Sequence, residues 1–139
     1  MTSYETLYNV ALSKISDPQL AILPEEDLEN MLYGWMKSAI AKHRKCTSDL
    51  SNRDETKKQF NTNLTDLEIE ILGILMAREW VSSQLLSVTN TLQVFSGKET
   101  KYFSQAQHLA ELQALDEKLR IEAQHLSRDY TYTDNGYFD

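Results

Sequence analysis

Residues 60–81 read FNTNLTDLEIEILGILMAREWV, and the fold turns on what covers them. Thr65-Asp66-Leu67-Glu68 is a capping box, in which a threonine hydroxyl and a glutamate three residues later satisfy each other's backbone donors at a helix start. Beyond it the residues turn apolar on almost every side. At 100° per residue, Leu67, Ile71, Ile74, Leu75 and Val81 fall on one side, and Ile69, Leu72, Met76 and Trp80 on the other. A helix apolar all round is buried all round. It is therefore the central helix of a bundle, or it turns one face to its own domain and another to a partner.

Helical spacing continues on both sides of this stretch. Pro24 opens a second helix, with Glu25, Glu26 and Asp27 at the positive end of its dipole. Leu28, Met31, Leu32, Trp35, Met36, Ala39, Ile40, His43 and Cys46 then trace one stripe. The run Lys42-His43-Arg44-Lys45 complements the negative end of the dipole, or meets a phosphate or an acidic partner. Ser3 to Ile15 is a short amphipathic helix stopped by Ser16-Asp17-Pro18. Residues 46–64 read as a loop with a short helix near Asp54 to Phe60, anchored by Leu50, Phe60 and Leu64. The central helix can run to Val94, with a weak point at 88–91, and FSGKET at 95–100 reads as a loop. The last long helix is expected from Tyr102 to about Asp129, with near-heptad Leu109, Leu112, Leu119, Ala123, Leu126 and Tyr130. That spacing favours shallow, near-antiparallel packing.

The pattern predicts an all-α fold: a small bundle of about four to five helices with an extended aromatic C-terminal tail. One helical domain spans 1–129, and 130–139 forms an arm. Tyr130, Tyr132, Tyr137 and Phe138 crowd this tail around an Asn135-Gly136 turn pair. They either pack back on their own helices or dock on another chain, since aromatic anchors are enriched at interfaces. On the second reading, deleting 130–139 leaves the fold intact and abolishes assembly. The central helix is expected to be covered by the Leu28–Cys46 stripe and the long C-terminal helix on one side. The N-terminal helix covers the rest, alone or with a neighbouring subunit.

A chain of 139 residues suits one domain with a modest core. A net charge of −7 argues against a general nucleic-acid binder but leaves room for a local basic patch. The single cysteine, Cys46, has no internal disulfide partner. MTSYETLYNV lacks the basic region and apolar run of a signal peptide, and no stretch nears the roughly 20 apolar residues of a membrane span. A soluble chain with no membrane contact is expected.

Catalytic signals are sparse. Glu122-Ala-Gln-His125 has the Glu-x-x-His spacing of helical di-iron sites, but those sites need a second such motif and two more glutamates. His43 and His108 are remote in sequence from an obvious second ligand. Residues 97–100, GKET, lack the preceding glycine and the strand of a phosphate-binding loop. No catalytic residue, cofactor or metal ligand is assigned, and a non-enzymatic role is expected.

Particular residue combinations carry a resemblance. They are Ser13-Lys14-Ile15-Ser16-Asp17, Ser38-Ala39-Ile40, Asp54-Glu55-Thr56 and Phe60-Asn61-x-x-Leu64-Thr65-Asp66-x-Glu68-Ile69-Glu70-Ile71-Leu72. Lys98-x-x-x-Tyr102-Phe103-Ser104-Gln105-Ala106 follows, ahead of a long helix and a tyrosine-rich tail. The chain resembles the small helical head–tail connector proteins, also called adaptor or neck proteins, of tailed bacteriophages. The resemblance covers most of the chain and rests on caps and core positions. It implies a virion subunit made in the bacterial host cytoplasm. Such a subunit docks under the portal protein ring as a homo-oligomeric ring, typically of twelve. It extends the channel for passing DNA, without sequence-specific binding, and joins other neck or tail proteins. The C-terminal arm of such adaptors commonly reaches into the portal. The basic run at 42–45 departs from a passage that must not grip DNA. The alternatives are another neck or tail-completion protein, or a helical regulatory or binding module acting on one protein partner.

Overall fold

The computed structural model describes residues 1–15, 22–43, 46, 48–94 and 99–134, apart from the side chains of 89–94, 99–105 and 132–134. The described chain is a small all-helical bundle with a minor three-stranded sheet at one end. In order it runs β1 (Thr2–Ser3), α1 (Tyr4–Ser13), α2 (Glu25–Lys42), β2 (Arg53–Asp54), β3 (Gln59–Phe60), α3 (Asp66–Val94) and α4 (Glu99–Asp134).

The capping box forms as its spacing predicts. Thr65 N donates to Glu68 Oε1 at 2.9 Å, and Glu68 N donates to Thr65 Oγ1 at 3.2 Å. Two of the helix's orphan donors are thereby satisfied before α3 enters the apolar interior.

The bundle itself covers α3 from Ile71 to Val81, with α1 and α2 sharing one flank and α4 on the other, where α2 and α4 were expected on the same side. On one flank Leu72 and Met76 pack with Tyr4, Leu7, Tyr8 and Ala11 of α1, with Leu32, Met36 and Ala39 of α2, and with Leu50, Phe60 and Leu64. On the other flank Ile74, Ala77, Trp80, Val81 and Val88 meet Leu112, Leu119 and Ala123 of α4. Burying a large aliphatic or aromatic side chain stabilises by about 1.5–3 kcal/mol, so these two flanks carry most of the driving force. Glu68 meets Tyr130 and Arg78 meets Asp116, so residue numbers fall along α4 as they rise along α3. The two helices are antiparallel, and the near-heptad stripe of α4 is the face that packs.

The contact between α1 and α3 depends on a glycine. A Cβ at Gly73 would lie 2.3 Å from Val10 Cγ1 and 2.9 Å from Val10 Cβ. Only a residue without a side chain lets the helices approach this closely. Lys14, at the end of α1, pairs with Glu70 of α3 at 2.6 Å and lies 3.8 Å from Glu122 of α4.

Residues 54–60 are not a short helix. Asp54 Oδ1 accepts from the backbone N–H groups of Thr56 and Lys57 at 2.9 and 3.0 Å, a turn that competes with helix formation. Lys58 takes a φ of 54°, in the left-handed region, and reverses the chain. β2 and β3 then pair antiparallel, Arg53 with Phe60 and Asp54 with Gln59. β1 adds to the free edge of β3, Thr2 with Phe60 and Ser3 with Gln59, so the order is β1-β3-β2.

α3 runs to Val94 as expected, without a break at the weak point 88–91. The helix boundaries differ from expectation at two further places. α1 is shorter, Tyr4–Ser13. α4 begins at Glu99 and continues to Asp134, so the expected boundary at 130 falls inside the helix. The stop at 16–18 lies outside the described residues, as does the tail at 135–139.

Candidate functional site

Two constellations bring polar groups together where α2 ends, α3 starts and α4 finishes. The first is buried. Glu68 is 1% exposed, yet it carries a carboxyl group. Its Oε1 is taken by the capping bond from Thr65 N. Its Oε2 accepts from Cys46 Sγ at 3.0 Å and from the Tyr130 hydroxyl at 3.0 Å. Burial pushes this carboxyl up. The donors from Thr65, Ser48, Cys46 and Tyr130 outweigh burial and hold it down at about 2. Glu68 is thus a charged group in the core whose acceptor positions face donors of its own chain.

The partners are set correspondingly. Burial, then the bond to Glu68, pushes the Cys46 thiol up to about 11, so it is no ready nucleophile. Burial holds His43 below the usual histidine range against the pull of Glu68, so its imidazole is neutral at neutral pH. The His43 ring meets the Tyr130 ring edge to face, with centroids 5.5 Å apart, and its Nε2 is buried without a hydrogen-bond partner.

The second constellation is open. A groove of about 630 Å³ runs along α4 beside the C-terminal end of α2 and the Leu75–Arg78 turn of α3. Lys42, Arg78, Arg120 and Arg128 are its charged lining; Leu75 and Ala123 give it an apolar floor. Arg120, Gln124, Ser127, Arg128 and Thr131 recur at helical spacing, so one face of α4 forms a whole wall. Three of these cations have carboxylate neighbours: Lys42 pairs with Glu79, Arg78 with Asp116 at 3.1 Å, and Arg120 with Glu117. None of those carboxylates lines the groove. A second groove, of about 440 Å³, lies between α1, α2 and the hairpin, and there Glu5, Glu25 and Glu29 are mixed with Lys57 and Lys58. One sign of charge thus marks the first groove, on a chain of net charge −7.

The expected partner-binding residues separate. Tyr130 is 3% exposed and belongs to the buried constellation, not to an arm. Its hydroxyl reaches Glu68 because α4 continues one turn past the expected end. Tyr132 is within α4, but its side chain is not described, and Tyr137 and Phe138 lie outside the described residues. Glu122 is engaged with Lys14, and His125 is exposed. No group of three or more His, Cys, Asp or Glu side chains suited to a metal occurs among the described residues. No described helix is long and apolar enough to cross a membrane.

The linear reading found Glu68 only as a cap, and Lys42 as a dipole partner or a contact for a phosphate or an acidic partner. Arg78, Arg120 and Arg128 carried no motif. Their dispersal over 50 residues hid the groove, and only the helical register of α4 against α3 assembles it.

No protein-family model matches the chain, and no curated protein or solved structure matches it significantly.

Proposed function

We propose that this chain is a structural subunit of a tailed-bacteriophage neck, a head–tail connector that docks under a portal ring and joins head to tail. The supporting observation is the anchoring of α4. Tyr130 is pinned to Glu68 in the core, so residues 135–139, with Tyr137 and Phe138, follow directly from a fixed end of the bundle. An arm that engages a neighbour needs such a fixed root, because ordering a loosely held segment costs binding free energy. The buried polar groups are consistent with a scaffold. Glu68 is supplied with donors from its own chain, and Cys46 is protonated. The resemblance in helix caps and core positions points the same way.

The partners proposed are the portal ring, further neck or tail proteins, and other copies of the chain in a closed ring. Native mass spectrometry of the chain alone and mixed with a purified portal ring tests this. The expected result is a portal-dependent complex with about one copy per portal subunit, the arrangement of a matched closed ring. A monomer or dimer that ignores the portal overturns the connector reading. It would favour another neck or tail-completion position, or a helical regulatory module acting on one partner.

A further inference from the structure

The basic groove has a counterpart on the same chain. α2 begins with Glu25, Glu26 and Asp27, all exposed, and none of them has an ion-pair partner among the described residues. Ile22, just before them, is 81% exposed, the most exposed large apolar side chain described. The other end of α2 delivers Lys42 and His43 to the groove. A helix of 18 residues rises about 27 Å, so the acidic end and the basic groove sit at opposite ends of one element.

We propose that the groove lined by Lys42, Arg78, Arg120 and Arg128 receives the acidic start of α2 from a second copy of this chain. The contact is heterologous: each copy offers its acidic end to one neighbour and its groove to the other. Two features favour this occupant over a free anion. The charges are complementary, with three carboxylates that have no ion-pair partner among the described residues facing a lining whose charged members are all cationic. The apolar parts also correspond, because Ile22 of the incoming copy has Leu75 and Ala123 to settle on. Charge complementarity of this kind fixes register and orientation, while a buried apolar anchor supplies affinity. Head-to-tail contacts close into a ring when the rotation between copies permits and otherwise extend as a filament. The inference deepens the connector reading and rests on it for closure of the ring; association itself does not depend on it.

Charge reversal tests the contact. One variant carries Arg120→Glu and Arg128→Glu, and the other carries Glu25→Lys and Glu26→Lys. All four positions are on the surface, and circular dichroism checks that both variants keep the helical signal. Native mass spectrometry over a concentration series should find wild-type oligomers that dissociate as salt is raised. Each variant alone should associate roughly a hundredfold more weakly, because like charges then face each other. An equimolar mixture should recover the oligomer with the two variants in equal numbers, since every contact in an alternating assembly is again between opposite charges.

Three results overturn the assignment. If both variants associate like wild type, the copies meet elsewhere, and the ring reading survives without this groove. If wild type stays monomeric while a portal-dependent complex forms equally with both variants, the groove is not the lateral contact, and the connector reading stands. If wild type stays monomeric and a short DNA duplex binds it but not the Arg120→Glu, Arg128→Glu variant, the groove takes phosphate instead. Failure to bind a portal, with the charge swap intact, removes the connector reading and leaves the contact.

Discussion

The hydroxyl of Tyr130 donates a 3.0 Å hydrogen bond to Glu68 Oε2, joining the last turns of α4 to the first turn of α3 across 62 residues. The acceptor is a charged carboxylate buried in the core, so the bond is stronger than a neutral one. Replacing Tyr130 by Phe keeps the ring and removes the donor. We expect a loss of about 1.5–3 kcal/mol in urea unfolding, the range for hydrogen bonds to charged groups. Hydrogen exchange should rise in the C-terminal turns of α4 before it rises in α3. Unchanged stability would mean that water replaces the donor.

Glu68 makes stability depend on acid. Its folded carboxyl is held at about 2 against a usual value of 4.5. A group with a depressed folded value stabilises fully above the unfolded value, and that contribution is lost as pH falls through the folded one. About 3 kcal/mol should therefore disappear between roughly pH 4.5 and pH 2. The Glu68→Gln variant should be less stable at pH 7 and should lack this slope. A wild-type stability profile that stays flat through that window would contradict the assignment.

Two glycines should respond with opposite signs. Gly73→Ala drives a methyl group into Val10 and should destabilise by about 1–3 kcal/mol, with partial recovery on adding Val10→Ala. Gly34 is exposed within α2, and a Cβ there meets nothing within 4 Å. Gly34→Ala should stabilise by about 0.5–1 kcal/mol through helix propensity alone. Thermal melts of both variants give the comparison directly.

Cys46 should be slow to react. With its thiol pushed up to about 11 by burial and by the bond to Glu68, little thiolate exists at pH 8. Alkylation by iodoacetamide should be roughly a hundredfold slower in the folded protein than in urea. Comparable rates would show that the Glu68 constellation opens readily.

Truncation should separate core from arm. Deleting 135–139 retains Tyr130 and should leave helical signal and melting unchanged, while binding to a portal ring is lost. Deleting 130–139 removes the Tyr130 anchor as well and should lower the melting temperature and its cooperativity. This replaces the expectation that the fold survives removal of all ten residues.

The periodic parts of the fold were legible because periodicity is local. The capping box at Thr65, the all-round apolar character of α3 and the stripe of α4 are each contained in one segment, and each forms as read. The sheet was not legible. Its strands are two residues long, too short for alternation, and its reversal uses Lys58 rather than a glycine. The role of Glu68 was half legible. Its helix-capping bond follows from spacing, but Cys46 and Tyr130 come from 22 residues before it and 62 after. The groove was illegible for the same reason: its cations belong to three helices whose register is a tertiary fact.

The small sheet has a consequence for how the chain is made. Thr2 and Ser3 pair with Phe60 and Gln59, Tyr4 N donates to Lys58 O at 2.9 Å, and Leu64 N donates to Thr2 Oγ1 at 2.9 Å. Residues 2–4 thus find these partners only once residues 58–64 have been synthesised. Until then Tyr4, Leu7 and Ala11 have neither β3 nor α3 to cover them. Non-local pairings of this kind form late, and apolar surface exposed during the wait invites aggregation. While the stretch between α1 and α3 is being synthesised, the apolar face of α1 is therefore the surface that a chaperone would have to shield.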